Sequence, residues 1–204
     1  MSQLTRRAAI AMAAAFATGA ATAAPAPLPD DMSLGSVKAK VQVIEYASLS
    51  CPHCAHFNEV IFAPFKARWV DTGKVRYTLK EMLTAPQQVA AAGFLLARCA
   101  GPAKYFKVVD EVFRSQPRWE AGQIKPIFLE IGAANGVTEA QFNACLTDQG
   151  GQDALNARAQ RAAEVDGVDS TPTLFVNGKR IDVLPQSPAE MDALIAAALK
   201  TGRR

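Results

Sequence analysis

The feature that most constrains this chain is a pair of cysteines two residues apart, at a predicted junction between a strand and a helix. The motif is Cys51-Pro52-His53-Cys54, and a β-prone run over 41–46 precedes it. At the start of a helix, unpaired backbone N–H groups and the helix dipole favour negative charge. We therefore expect a Cys51 thiolate with a lowered pKa, with Pro52 suited to the first helical position and His53 as a positive partner. A stabilised thiolate is a good leaving group, so a Cys51–Cys54 disulfide would be oxidising.

Other chemistries also use neighbouring cysteines, and the residues around this motif weigh against most of them. A structural zinc site needs about four ligands. Besides the two cysteines, only His53 and His56 are nearby, and one helical turn cannot easily place all four around one ion. Covalent c-type haem needs a histidine at the position of Ala55. An inert disulfide would leave the helix start unused. We expect no metal and no cofactor, and a Cu(I)-binding module stays open as an alternative of another class, although no Met or His cluster adjoins the thiols.

The composition is that of an ordinary globular domain. The 204 residues are 50% hydrophobic and 20% charged, with a net charge of +3. A chain this close to neutral has no electrostatic footprint for nucleic acid, so nucleic acid is not an expected partner. Beyond the first 25 residues, no apolar run reaches the roughly 18–20 residues of a membrane span.

Residues 1–23 have the features of an export signal peptide. Arg6 and Arg7 form a positive start, an Ala-rich apolar stretch follows over 10–17, and Ala21-Thr22-Ala23 matches a small-x-small cleavage site. The arginine pair also fits a twin-arginine signal loosely. We therefore expect the mature chain in the periplasm, where disulfides persist.

The order of predicted elements indicates an α/β fold with an all-helical insertion. Strands over 41–46 and 75–79 flank one helix, which should run from Cys51 to about Trp69 with a kink at Pro64. The two strands should therefore be parallel with a right-handed crossover. Helical periodicity then continues until about residue 165, with a capping box at Thr138 and Gln141. A hairpin with strands over 173–176 and 179–182 and an Asn177-Gly178 turn follows, and then a last helix. The expected division is a signal peptide over 1–23, a Pro-rich lead-in over 24–36, an α/β domain over 37–84 and 166–204, and a helical insertion over 85–165.

Together these features resemble the DsbA-like branch of the thioredoxin superfamily. The similarity covers about 41–199, and it rests on the strand over 43–46, the Cys-Pro-His-Cys motif, the helical insertion and the segment 167–178. It implies a thioredoxin-like fold with an inserted all-helical domain. It also implies a thiol:disulfide oxidoreductase whose partners are unfolded or reduced exported proteins.

The resemblance also implies roles for individual residues. Cys51 would be the exposed sulfur that is attacked, and Cys54 the buried resolving sulfur. Pro172 would be a cis proline facing Cys51, where it and Thr171 leave the backbone free to pair with an extended substrate peptide.

Glu45 has two interpretations that the sequence leaves open. It should lie beneath the cysteines at the end of its strand, where it could shuttle a proton for Cys54. An ion pair with Lys80, which ends the neighbouring predicted strand, explains the same glutamate equally well.

Two departures from the family pattern leave the direction of electron flow open. Leu49 and Ser50 precede Cys51 where the best-known oxidases have aromatic residues, and Thr171 stands where they have valine. Threonine there also resembles disulfide isomerases and reductases. The lead-in over 24–36 leaves no room for a long oligomerisation stalk, which favours a monomeric oxidase that a membrane quinone-linked partner would reoxidise.

The remaining cysteines, Cys99 and Cys145, fall in separate predicted helices of the insertion. In an oxidising compartment we favour a disulfide between them, which the chain-entropy model credits with roughly 4 kcal/mol. The alternative is two buried thiols that pack as small apolar groups.

Overall fold

The central sheet follows from two β-prone runs that are buried along nearly their whole length. The computed structural model describes residues 24–119 and 123–201, so the predicted signal peptide lies outside the described residues. Val41–Ala47 and Val75–Glu81 pair in parallel, with Val43 opposite Tyr77 and Tyr46 opposite Lys80. Because side chains alternate along a strand, odd-numbered residues of both strands share one face and even-numbered residues the other.

The elements in chain order are β1 (Met32–Leu34), β2 (Val41–Ala47), α1 (Pro52–Phe57), a π-helical turn (Asn58–Phe62), α2 (Ala63–Phe65), a second π-helical turn (Lys66–Val70), β3 (Val75–Glu81), α3 (Gln87–Cys99), α4 (Tyr105–Ser115), a 3₁₀ turn (Gln116–Arg118), α5 (Ile124–Ala134), α6 (Glu139–Thr147), α7 (Gln149–Glu164), β4 (Thr173–Val176), β5 (Lys179–Arg180) and α8 (Pro188–Thr201). The sheet order is β1-β3-β2-β4-β5. Only β2 and β3 are parallel to each other; the three other pairings are antiparallel. The prediction of an α/β fold with helices inserted between strands is confirmed.

The Pro-rich lead-in over 24–36 contributes an edge strand to the sheet. Met32–Leu34 pairs antiparallel with β3, and the Ser33 and Thr78 hydroxyls lie 2.8 Å apart. Three residues are too short for a periodicity signal, which is why the sequence pattern did not show this strand.

One continuous helical segment follows the Cys-Pro-His-Cys motif, although its hydrogen bonding changes along its length. We predicted a helix as far as about Trp69 with a kink at Pro64. The segment runs from Pro52 to Val70, and π-helical turns flank the short α2 that contains Pro64. A proline has no N–H to donate, so a local change in the hydrogen-bond ladder accompanies it.

Most of the helical insertion packs over the odd-numbered face of β2 and β3 and forms the larger core with it, whereas the end of α7 reaches the opposite face. Phe94, Tyr105 and Phe128 are fully buried there. The predicted capping box of α6 is present, since Thr138 accepts from the Gln141 N–H and Gln141 accepts in return. A smaller core on the opposite face contains Ile44, Tyr46, Ala162, Val168 and Phe175.

The last elements also follow from local sequence signals. Asn177 and Gly178 both have positive φ, of 49° and 79°, as a tight hairpin turn requires. The second strand of the hairpin is shorter than predicted, since it ends at Arg180 and excludes Ile181 and Asp182. Within the ranges that the structure describes, the helices fall short of the length and apolarity that a membrane crossing requires.

Candidate active site

Cys51 lies at the end of the short loop that connects β2 to α1. It is the residue that precedes α1, with extended backbone angles, and Pro52 occupies the first turn. The Cys51 carbonyl oxygen accepts the first helical hydrogen bond, from Ala55 N at 3.1 Å. Since the N–H groups of the first helical turn lack partners within the helix, they point towards the Cys51 sulfur and favour its charged form.

The pKa of Cys51 is lowered to about 5. The largest cause is a hydrogen bond from the Cys54 thiol, and burial opposes it. The Thr171 side chain and the backbone N–H groups of Cys54 and His53 lower the pKa further. The His53 side chain is exposed, and its backbone N–H is one of the groups that lower the pKa of Cys51. A role of the His53 ring as a positive partner stays a prediction.

Cys51, which we expected to be exposed, is buried with only 8% of its surface exposed, because the segment before β4 lies against it. Cys54 lies one helical turn further on and is buried more deeply. Its side chain is fully buried, and this burial raises the pKa of the thiol well above its ordinary value. The hydrogen bond that it gives to Cys51 and the nearby Glu45 carboxylate raise it further. Both cysteines are free thiols in this structure. The two sulfurs of the motif therefore differ in acidity. The surroundings of Cys51 suit a nucleophile and leaving group, and those of Cys54 suit a buried thiol that stays protonated.

The loop before β4 closes over Cys51. The Thr171–Pro172 peptide bond is cis, and in its thiol form Cys51 donates to the Thr171 carbonyl oxygen at 3.4 Å. A groove of about 300 Å³ opens beside this contact, between the Cys-Pro-His-Cys helix and the cis proline. Its lining includes His53, His56, Phe57, Ile61, Pro172 and Leu184.

Glu45 lies beneath the cysteines, and its partner is not the one that we considered. Its side chain is 3% exposed, and Glu45 Oε2 accepts from the Tyr77 hydroxyl at 2.6 Å. Burial, the largest cause, raises the pKa of Glu45 to about 7. The ion pair with Lys80 is absent, because Lys80 is paired in register with Tyr46 and points to the other face. There it contacts Asp166 at 3.1 Å and Asp31 at 3.6 Å.

Sequence reasoning missed three polar side chains that hold the loop before the motif. Gln116, from the insertion, donates to the carbonyl oxygens of Leu49 at 2.9 Å and Cys51 at 3.2 Å. The Ser50 hydroxyl donates to the Thr84 carbonyl oxygen at 2.9 Å, and the Thr84 N–H donates to the Ser48 hydroxyl oxygen at 3.1 Å. The small hydroxyls at 48 and 50 were a usable signal for a buried polar loop, but nothing local marks Gln116.

The second cysteine pair lies away from this site. Cys99, at the end of α3, and Cys145, in α6, form a disulfide with a sulfur–sulfur distance of 2.03 Å. The bond joins two helices of the insertion to each other. In the described parts of the chain, no group of three or more His, Cys, Asp or Glu side chains is arranged to hold a metal ion.

Fold and site together define a thioredoxin-like protein of the DsbA type, with a helical insertion over a Cys-Pro-His-Cys pair. A family model described as thioredoxin matches residues 28–197, and the chain belongs to that family. The "Putative protein-disulfide oxidoreductase" of Rickettsia bellii is 32% identical over 151 residues, which are 73% of this chain and 58% of that protein. The chain thus spans little more than half the length of that relative.

Two further comparisons extend the likeness. The thiol:disulfide interchange protein DsbA of Yersinia pestis is 29% identical over 147 residues, which cover 70% of this chain and 69% of that protein. The crystal structure of Wolbachia pipientis alpha-DsbA1 superposes with a TM-score of 0.78 at 25% identity, over 86% of this chain and 94% of that one.

Proposed function

We propose that this chain is a thiol:disulfide oxidoreductase that acts mainly as an oxidase of exported proteins. The observation that carries this proposal is the difference between the two sulfurs of the motif. The pKa of Cys51 falls to about 5 at the start of α1, whereas burial raises that of Cys54. Related proteins named as DsbA and as protein-disulfide oxidoreductases support the same activity.

The reaction begins from the oxidised pair. A substrate thiolate attacks Cys51 Sγ, a substrate–Cys51 disulfide forms, and the Cys51–Cys54 bond breaks with Cys54 as the leaving group. A second substrate thiolate then attacks the substrate sulfur of this mixed disulfide and expels Cys51 as a thiolate. The substrate leaves with a disulfide, and the protein is left with two reduced cysteines.

The acidity of Cys51 favours the oxidase direction. A thiol with a pKa near 5 is a stable thiolate at neutral pH, so it leaves readily in the second step. The same stabilisation favours the reduced pair over the disulfide, which makes the disulfide a strong oxidant. A substrate strand would lie along the cis Pro172 loop, in the groove beside Cys51.

The cellular setting completes the proposal. The predicted export signal over 1–23 supports a location in the periplasm. An oxidase of this kind needs a partner to restore its disulfide, and we propose a membrane quinone-linked protein for that role. We propose that the chain acts as a monomer.

Oxidative refolding of a reduced exported protein with several disulfides tests the activity. The oxidised wild type should speed the recovery of the folded substrate, and Cys51→Ala should lose this effect, because it lacks the attacked sulfur. The Cys99→Ala/Cys145→Ala variant is the matched control, since it removes two cysteines far from the motif and should retain activity. Equal rates for the wild type and Cys51→Ala would refute the proposal.

A disulfide isomerase or reductase is the second candidate, and Thr171 before the cis proline is the observation that favours it. Equilibration with glutathione separates the two candidates. An oxidase should have a reduction potential near the roughly −120 mV of DsbA, and a value near the roughly −270 mV of thioredoxin would overturn the oxidase assignment.

A further inference from the structure

The buried acid beneath the cysteines has a phenol as its partner. Tyr77 and Glu45 are 2% and 3% exposed, and the Tyr77 hydroxyl donates to Glu45 Oε2 at 2.6 Å. We propose that Tyr77 is a positioning residue for the redox reaction: its phenol fixes the Glu45 carboxyl beneath Cys54 and sets the pH at which that carboxyl exchanges a proton with the thiol. This inference rests on the proposed oxidoreductase function.

The phenol itself is held firmly by aromatic neighbours. The Tyr77 ring packs against Phe62 at a centroid distance of 4.7 Å, Phe106 at 5.9 Å and Phe65 at 6.1 Å. Two of these rings come from the helical segment after the motif and one from α4. With the ring enclosed on these sides, the hydroxyl has one well-defined position, and the Glu45 carboxyl takes its orientation from it.

The groups that face Glu45 include no cation in the part of the chain that the structure describes. Cys51 and Cys54 face it from the motif and Tyr77 from β3, and Tyr105 of α4 lies next beyond Tyr77. Lys80, the nearest candidate in sequence, is on the other face of the sheet. Tyr77 is therefore the one neighbour whose hydrogen bond stabilises the carboxylate against the cost of burial.

The direction of the pKa shifts agrees with this geometry. Burial raises the pKa of Glu45 to about 7, the Tyr77 hydrogen bond lowers it, and the Cys51 thiolate raises it. The acid thus changes its charge near neutral pH, where a group that both gives and takes a proton is most effective.

The proton balance follows the two halves of the cycle. When a substrate thiolate attacks Cys51 and the Cys51–Cys54 bond breaks, Cys54 leaves with the electron pair and takes a proton from neutral Glu45. In the return half, Cys51 attacks a disulfide of the reoxidising partner to form a mixed disulfide. Cys54 then gives its proton back to Glu45 and attacks Cys51, which restores the internal disulfide and releases the partner reduced.

Infrared spectroscopy of the reduced protein measures the charge of Glu45 independently of turnover. The C=O band of the neutral Glu45 carboxyl is the band that Glu45→Gln lacks. In the wild type this band should lose its intensity as the pH rises, with a midpoint of about 7. Tyr77→Phe keeps the ring but removes the donor, so the midpoint should rise by about one pH unit. Tyr46→Phe is the matched control: it removes a buried tyrosine hydroxyl that donates to Asp166 on the opposite face, and it should leave this midpoint unchanged.

Kinetics connect that charge to the thiol chemistry. The rate at which a small thiol reduces the Cys51–Cys54 disulfide, corrected for the thiolate fraction of the reagent, should fall as the pH rises and Glu45 loses its proton. The midpoint should lie below that of the reduced protein, because the disulfide form lacks the Cys51 thiolate that raises the pKa of Glu45. The fall should shift by the same one unit in Tyr77→Phe and vanish in Glu45→Gln. The double variant Glu45→Gln/Tyr77→Phe should match Glu45→Gln in its pH profile, since Tyr77 acts through the acid.

A second substitution tests the same role of Tyr77 if Tyr77→Phe fails to fold. Site-specific 3-fluorotyrosine at position 77 is a stronger donor and should move the infrared midpoint down. An infrared midpoint that moves with neither substitution, or a kinetic profile that does not follow it, overturns the role of Tyr77. Failure of the wild type to oxidise a reduced exported protein overturns the proposed function instead, so the two failures are distinguishable.

Discussion

The two faces of the β2–β3 pair contain the same polar motif in different electrostatic settings. On the face towards the cysteines, Tyr77 donates to Glu45 at 2.6 Å. On the opposite face, Tyr46 donates to Asp166 at 2.7 Å. Among the residues that the structure describes, only the second pair has a buried cation in contact with its acid, Lys80 at 3.1 Å from Asp166.

The difference shows how burial can serve stability on one face and chemistry on the other. Lys80 contacts both Asp166 and Asp31, and its charge offsets part of the cost of burying these carboxylates. Glu45 has only a neutral donor, and burial therefore raises its pKa to about 7. An acid whose charge is not compensated stays able to titrate near the pH of the reaction, at some cost to stability.

Removing the cation should have the largest effect on this comparison. Lys80→Met leaves Asp31 and Asp166 buried without their counter-charge, and we expect a loss of about 3–5 kcal/mol in the free energy of unfolding at pH 7. Urea denaturation measures it, with the exposed Lys38→Met as the control. A loss below about 1 kcal/mol would mean that the cluster is not held by charge.

Removing the uncompensated acid, Glu45, should raise the free energy of unfolding rather than lower it. The raised pKa means that the folded chain keeps the Glu45 proton between about pH 4.5 and 7, where the unfolded chain has lost it. Glu45 therefore lowers the stability progressively as the pH rises through this window. Above pH 7, Glu45→Gln should be more stable than the wild type by about 3 kcal/mol, and the two should converge below pH 4.5. A difference that does not change with pH would contradict the raised pKa.

The smallest effect should come from the tyrosine hydroxyl on the structural face. Tyr46→Phe removes one donor to Asp166 but leaves Lys80 in contact with that acid. We expect a loss of about 1 kcal/mol in the free energy of unfolding, measured by urea denaturation, and no change in the acidity of Cys51. A shift in the Cys51 titration would show that the two faces are coupled.

Local signals in the sequence predicted most of the fold. The Asn177-Gly178 turn and the Thr138 capping box each fix a short stretch of backbone through their own chemistry, so they could be assigned without tertiary information. The Cys-Pro-His-Cys motif likewise marks the start of a helix by itself. The edge strand Met32–Leu34 is defined by its pairing with β3, which no local pattern shows.

The site was harder to predict from the sequence than the fold, because it depends on contacts between segments that are far apart in the chain. Whether Glu45 and Lys80 share a face depends on the register of β2 against β3, and the structure pairs Tyr46 with Lys80 instead. Gln116 contacts the Cys51 carbonyl oxygen across 65 residues of chain. An unpatterned glutamine in a helical insertion gives no hint of such a contact.

The acidity of Cys51 is the measurement that tests the central claim most directly. In the reduced protein, the ultraviolet absorbance of the thiolate can be followed against pH, with Cys51→Ala as the blank. We expect a midpoint at about 5, because the Cys54 thiol, Thr171 and the N–H groups at the start of α1 stabilise the thiolate. A midpoint near the roughly 8.5 of a free cysteine would contradict the account.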